Sequence, residues 1–266
     1  MTIFERFSAS LHGDEPVALV TRLDDDLPGA KLLVDRHGRL GDLGSPRLNA
    51  TVEAEARALL TFGQTALRTF GENGEPIPLG REARVFIQSF APKPDMYIFG
   101  AIDFSRTMAR IGKYLGYRVT VVDARPVFAT ARRIPDADKV VVAWPDEFLR
   151  NARVDARTTI IVLTHDQKFD IPLLLVALGT DAGYIGAMGS RRTHAARVEE
   201  LRAAGIGDPD LARISAPIGL DIGARTPEET ALSMASESVA LRSGRGGGRL
   251  RDSASPVHPQ TSHATR

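Results

Sequence analysis

The chain has 266 residues, 43% of them apolar, enough to bury a core as one large domain or two modest ones. A formal charge of +1 leaves no global field to draw in nucleic acid or anionic lipid, so neither is an expected partner and any charged ligand needs a local site. The absence of cysteine excludes disulfides, thiolate metal sites and cysteine nucleophiles from this chain.

Residues 1–16 carry Glu5 and Arg6 early and lack the apolar stretch of a signal peptide. No segment approaches the roughly 20 apolar residues that span a bilayer, and a cytoplasmic protein is expected. The first third otherwise reads as short strands with one helix. Residues 16–22 and 31–34 are β-rich, and Arg36-His37-Gly38-Arg39 marks a turn into a further short strand. Residues 49–62 have apolar positions at helical spacing, with Asn49 as N-cap and Gly63 just past the end. Strand character returns at 65–71 and 83–90, which completes a small α+β domain over residues 1–91.

Ala91-Pro92-Lys93-Pro94 is a stiff connector, because proline fixes φ and biases the preceding residue away from helix. Beyond it, strands at 96–99, 118–122, 140–143, 159–164 and 184–187 interleave with helices at 103–115, 171–178, 190–204 and 226–241. Continuous apolar runs such as Ile160-Ile161-Val162-Leu163 suit a parallel sheet covered on both faces. The expected fold class is therefore α/β: a Rossmann-like parallel-sheet domain over residues 95–243, preceded by the small α+β domain. Its first and fourth strands are expected to be neighbours, which would join the loops at Gly100 and His165 where the strand order reverses. Thr226-Pro227-Glu228-Glu229 reads as a capping box opening the last helix. Residues 244–266 are glycine-, serine- and proline-rich and read as a disordered tail.

Four places carry candidate chemistry. Gly100 stands where a dinucleotide-binding fingerprint would begin, but Ile102 puts a branched side chain where the second glycine admits a pyrophosphate. Asp103 reads as an N-cap whose charge occupies the helix start, so NAD(P) is the less favoured ligand. Asp123 ends the second strand where an acid can grip a ribose, although Asp-Ala-Arg-Pro also serves as a plain exit from a strand. His165, Asp166 and Asp170 follow the fourth strand at the edge where open α/β sheets bind ligands, and a helix-capping turn is the alternative. Gly189-Ser190-Arg191-Arg192 opens a helix with two cations that oppose its dipole by roughly 0.3 to 1 kcal/mol each. A bound anion would offset them; the alternative is that both arginines point into water or pair with acids elsewhere. Gly219 and Gly223 punctuate the loop before the last helix, either as a structural crossing or near a ligand. No residue set forms a complete catalytic constellation, so a non-catalytic role is expected.

On these residues the chain resembles the XdhC/CoxI family, densely in YIGAMGSRRTHAARVEELRAAGI and APIGLDIGARTPEETALSMASESVALRSGR, with THDQKFD similar to the family's His-Asp segment. The resemblance implies a Rossmann-like C-terminal domain that binds molybdenum cofactor and delivers it, sulfurated, to a xanthine dehydrogenase- or CO dehydrogenase-type molybdenum hydroxylase. That client is the expected partner, with a homodimer left open. Gly100, Asp123, His165, Asp166, Gly189, Ser190, Arg191 and Arg192 are the expected cofactor-binding residues. An NAD(P)-dependent oxidoreductase and an interaction protein that has lost its ligand are the alternatives. The chain departs from the family pattern at Gly41-Asp42-Leu43-Gly44-Ser45-Pro46-Arg47 and at Pro78-Leu79-Gly80-Arg81, where the family carries Ser-Gly-Gly-Cys and Cys-Gly-Gly segments.

Overall fold

The computed structural model describes residues 1–75, 81–164 and 166–254; His165, the Pro78-Leu79-Gly80 stretch and the last twelve residues of the expected tail lie outside them. The chain divides into two compact units, residues 1–92 and 93–253.

The first unit runs α1 (Ile3–His12), β1 (Val17–Arg22), β2 (Lys31–Asp35), β3 (Gly38–Gly41), α2 (Pro46–Phe62), β4 (Ala66–Gly71) and β5 (Glu82–Phe90). Its strands form an antiparallel sheet in the order β3-β2-β1-β5-β4. Alternation in β5 sends Ala83, Val85 and Ile87 inward, and Leu48, Val52, Ala56 and Leu59, a stripe at helical spacing on α2, pack onto the same core. Two expectations need correction. The segment holds a second helix: α1 opens on a capping box in which Thr2 accepts from the Glu5 amide and Glu5 accepts from the Thr2 amide. It is tied down by Arg6, which bonds the Asp35 carboxylate, and by an edge-to-face contact of Phe7 with Phe90 at 5.1 Å. Asn49 is not an N-cap, because Pro46 already pre-forms the first turn after Ser45. Asn49 instead braces the preceding loop, accepting from Leu43 N–H at 2.8 Å and donating to Asp42 at 2.7 Å.

The second unit runs β6 (Asp95–Phe99), α3 (Asp103–Tyr114), β7 (Arg118–Asp123), β8 (Lys139–Val142), α4 (Pro145–Arg150), β9 (Thr159–Val162), α5 (Gln167–Leu178), β10 (Tyr184–Ala187), α6 (Arg191–Ala203), α7 (Asp208–Leu211), β11 (Ile214–Ser215) and α8 (Pro227–Arg242). All its strand pairings are parallel, in the order β11-β10-β9-β6-β7-β8. The fold is the expected Rossmann-like α/β class, and its first and fourth strands, β6 and β9, are neighbours in register from Met96 opposite Thr159 to Phe99 opposite Val162. Side chains alternate between two cores. Tyr97, Phe99, Ile160 and Val162 meet Leu149 of α4 and Leu173, Leu174 and Ala177 of α5 on one face. Met96, Ile98, Ile161 and Leu163 meet Met108 of α3 and Ala231 and Met234 of α8 on the other. Burial on both faces accounts for the unbroken apolar runs.

Sequence patterning missed α4, α7 and β11, each too short to show a period. It also started α5 too late: Asp166 is the N-cap, its carboxylate accepting from Lys168 N–H, so residues 167–170 belong to the first turn. Asp103 is the first helical residue of α3 and not its cap; Ile102 holds the cap position, and Ser105 Oγ accepts from its amide at 3.2 Å. The last helix has the expected capping box between Thr226 and Glu229. Of the expected tail, residues 244–254 are described and include a single 3-10 turn at Leu250–Asp252.

Candidate functional site

The chain leaves β6 toward β7 on one side and meets β9 on the other, so the crevice at the carboxyl ends of β6 and β9 is the topological switch point where open α/β sheets take ligands. Gly100 makes the exit from β6 with φ +103, its N–H bonded to Val122 O at 2.8 Å. A β-carbon there would lie 3.1 Å from the backbone of Leu163 and Thr164, so glycine is required both by conformation and by the approach of the β9 exit.

Asp123 ends β7 almost fully buried. One carboxylate oxygen accepts from Ala101 N–H at 2.7 Å, and the guanidinium of Arg125 forks onto both oxygens at 2.9 and 2.8 Å. Burial pushes the Asp123 carboxyl up, but the Arg125 fork and the Ala101 and Arg125 amides outweigh it and hold it below the usual carboxylate range. The carboxylate that was a candidate ribose acceptor is thus already engaged. Between the two exits lies a cavity of about 280 Å³, with Ile102, Leu163 and Phe169 on its apolar side and Arg125, Thr164 and Asp166 on its polar side. Asp166 is exposed, paired with Lys168 at 3.1 Å and within electrostatic reach of Arg125. Gly100, Asp123 and Asp166 therefore converge.

The loop after β10 adjoins this crevice from the next strand. Ser190 caps α6, its hydroxyl accepting from Thr193 N–H at 3.1 Å, and Gly189 before it has φ +147 with Thr193 against it. Arg191 and Arg192 occupy the first two helical positions, both exposed and neither with an acidic partner among the described residues. No hydrogen bond or ion pair among the described residues joins them to Asp123 or Asp166.

What ties the two loops together is a group that the sequence pattern did not single out. Arg197, one helical step before the buried Leu201, is 1% exposed and donates to Asp170, itself 2% exposed, and to Met188 O at 3.2 Å. Asp170 also accepts from the Thr164 hydroxyl. The chain Thr164–Asp170–Arg197–Met188 thus fixes the β9 exit, the α5 start and the β10 exit as one body. Asp170 is a structural acid here and not a ligand candidate. The buried Nε and Nη1 of Arg197 and Nδ1 of His194 have no hydrogen-bond partner among the described residues, and burial followed by the Arg197 charge holds the His194 imidazole below its ordinary value. The available signal was the phase of α6, which puts Arg197 on the same stripe as Leu201. Among the described residues no cluster of three or more histidine, cysteine or acidic residues is placed to hold a metal, and no helix is long and apolar enough to cross a membrane.

The profile of the XdhC Rossmann domain matches residues 96–238, and that of the XdhC and CoxI family matches residues 10–71. The chain belongs to the XdhC and CoxI family. Among curated relatives, a probable xanthine dehydrogenase subunit of Bacillus subtilis (strain 168) is 31% identical over 158 residues, 59% of this chain and 46% of that protein. The molybdenum cofactor insertion chaperone PaoD of Escherichia coli (strain K12) is 27% identical over 157 residues, 59% of this chain and 43% of that protein. The match therefore spans less than half the length of either relative. A crystal structure of a xanthine dehydrogenase from Bacillus halodurans shares the fold, with a TM-score of 0.51 and 18% identity over 96% of this chain and 98% of that one.

In this XdhC chain Ile102 stands where a dinucleotide fingerprint has its second glycine, and Arg125 already holds the Asp123 carboxylate. Calorimetric titration with NAD or NADP is expected to show weak or no binding to the unaltered chain, and Ile102→Gly with Asp103→Ala is expected to improve it. Low-micromolar binding by the unaltered chain would defeat the steric reading.

Proposed function

We propose that this chain is an accessory factor that binds molybdenum cofactor as cargo and assists maturation of a xanthine dehydrogenase- or CO dehydrogenase-type molybdenum hydroxylase. The observation that carries the reading is the start of α6, where two arginines without acidic partners among the described residues stand at the positive end of a helix whose cap is already satisfied by Ser190. An anionic ligand offsets that arrangement, and the phosphate of a pterin cofactor is such a ligand. Ser190, Gly189 and Arg191 or Arg192 hold the phosphate in this reading. The rest of the cofactor faces the crevice of Gly100, Asp123 and Asp166, with His165, next to Asp166 in sequence, as a further ligand in this reading. The cofactor supplies the molybdenum centre on which the client's chemistry depends; the chain's own residues bind, orient and shield it. Relatives with names such as molybdenum cofactor insertion chaperone and xanthine dehydrogenase subunit support the same reading. With no cysteine in the chain, sulfuration of the cargo requires a sulfur carrier other than a thiolate of this chain.

The test is co-expression with a molybdenum hydroxylase, purification, and pterin analysis of the bound fraction, beside Arg191→Ala with Arg192→Ala. The double variant is expected to lose about 1.5 to 3 kcal/mol of cofactor binding for the charged hydrogen bond removed. Its ligand-free melting temperature should be unchanged or slightly higher, since both side chains are exposed and oppose the helix dipole. Normal cofactor binding by the double variant rejects the site, and no pterin in any preparation favours an interaction protein that has lost its ligand.

A further inference from the structure

We propose a second anion site, in a cavity that shares Ile102 with the switch-point cavity, that takes a phosphate monoester between Arg106, Arg132 and Arg133. The three arginines line a cavity of about 290 Å³ beside Ala101, Ile102 and Asp103. Arg106 comes from the first turn of α3, and Arg132 and Arg133 come from the loop between β7 and β8, so two separate elements converge on one hollow.

All three arginines are exposed. None has an acidic partner among the described residues, and the nearest acids along the loop are taken, Asp136 by Arg110 at 3.1 Å and Asp138 by Lys113. Against the single carboxylate of Asp103, the three arginines give the residues lining the cavity a net charge of two positive. A phosphate monoester carries about −1.5 to −2 at neutral pH, which is the charge the hollow lacks. Arg133 is also pre-positioned: its guanidinium lies 5.1 Å from the ring centre of Phe128, while Arg125, which lines the neighbouring cavity, lies 4.4 Å from the same ring. Phe128 thus contacts one arginine lining each cavity, and Ile102 lines both. A fork-shaped donor held by a ring loses less freedom on binding than a freely moving lysine, which favours a phosphate over a diffuse counter-ion.

The site stands on its own observations and does not depend on the reading of α6. The experiment is a ³¹P NMR titration of the full chain with inorganic phosphate in low-salt buffer, in the unaltered protein and in the Arg191→Ala/Arg192→Ala background, which removes the α6 seat. Saturable binding is expected to persist in that background and to weaken by at least about tenfold when Arg132→Ala and Arg133→Ala are added, as the loss of charged hydrogen bonds dictates. Asp103→Asn is expected to tighten phosphate severalfold, an effect that loss of folding cannot mimic. Binding that survives Arg132→Ala/Arg133→Ala unchanged, an Asp103→Asn variant that binds no better, or an unaltered chain that shows no saturable binding overturns the proposal. Because the α6 reading is judged by pterin retention and this one by phosphate, either can fail alone.

Discussion

Asp170→Ala is expected to destabilise the second unit by about 3 to 5 kcal/mol, the cost of leaving a buried charge without its partner. Arg197 is 1% exposed and Asp170 2% exposed, so solvent cannot replace the lost carboxylate. The guanidinium already has Nε and Nη1 without partners among the described residues, and losing Asp170 leaves it only the Met188 carbonyl. The Thr164 hydroxyl loses its acceptor at the same time. Asp170→Ala combined with Arg197→Met should recover part of the loss, because it removes the unpaired buried cation although it leaves the Thr164 hydroxyl without its acceptor. Urea unfolding followed by circular dichroism measures both variants. A loss below about 1 kcal/mol for the single variant, in the range of an ordinary surface ion pair, would show that Arg197 reaches water and does not fix the loops.

On the proposed function the pair matters because it fixes the β9 exit relative to the start of α6. The residues expected to handle the cofactor lie on both, and a misplacement of about 1 Å in such a site can cost two orders of magnitude in what it does. The sequence made Ser190, Arg191 and Arg192 legible, since cations at a helix start contradict a local rule and stand out. Arg197 was not legible for the opposite reason. It sits on the buried stripe of a mostly polar helix, where charge normally means a solvated face, and its partner is 27 residues earlier in the chain. Asp123 shows the same limit: its position at a strand end was visible, but its capture by Arg125 two residues on depends on how the loop folds back.

The strands of the second unit were legible because burial on both faces imposes unbroken apolar runs, and the pairing of β6 with β9 was expected from the reversal of strand order in open α/β sheets. Helix α1 was overlooked although Thr2 and Glu5 carry the capping-box spacing and Ile3 and Phe7 stand one turn apart, because the segment is short and none of its residues is fully buried. Asn49 was misread for a related reason: an asparagine before an apolar run fits a cap, but Pro46 three residues earlier starts the helix sooner, and the amide is then free to brace Leu43 and Asp42.

Gly100→Ala is expected to cost roughly 2 to 4 kcal/mol, the sum of about 1 to 2 for a left-handed backbone and about 1 to 3 for overpacking a closed site. Both costs come from the same residue: its φ is +103, and its new methyl would stand 3.1 Å from Leu163 C and from Thr164 N and Cγ2. Gly116→Ala separates them, since Gly116 has φ +86 in the same unit and a β-carbon there would meet nothing within 4 Å, so only the conformational cost remains. The difference between the two variants in denaturant midpoint at equal slope therefore reads the close approach of the β6 and β9 exits directly. Backbone cannot swing aside as a side-chain tip can, so relief must come from moving residues 163–164 away from β6. That movement shifts Thr164, and with it Asp170 and Arg197, which couples the strand exit to the loop that opens α6. Gly100→Ala should accordingly weaken retention of the cofactor in excess of its effect on melting, while Gly116→Ala should leave retention intact. Equal losses of stability in the two variants, with cofactor retention unaffected in both, would mean that the two exits are not held together as the geometry requires.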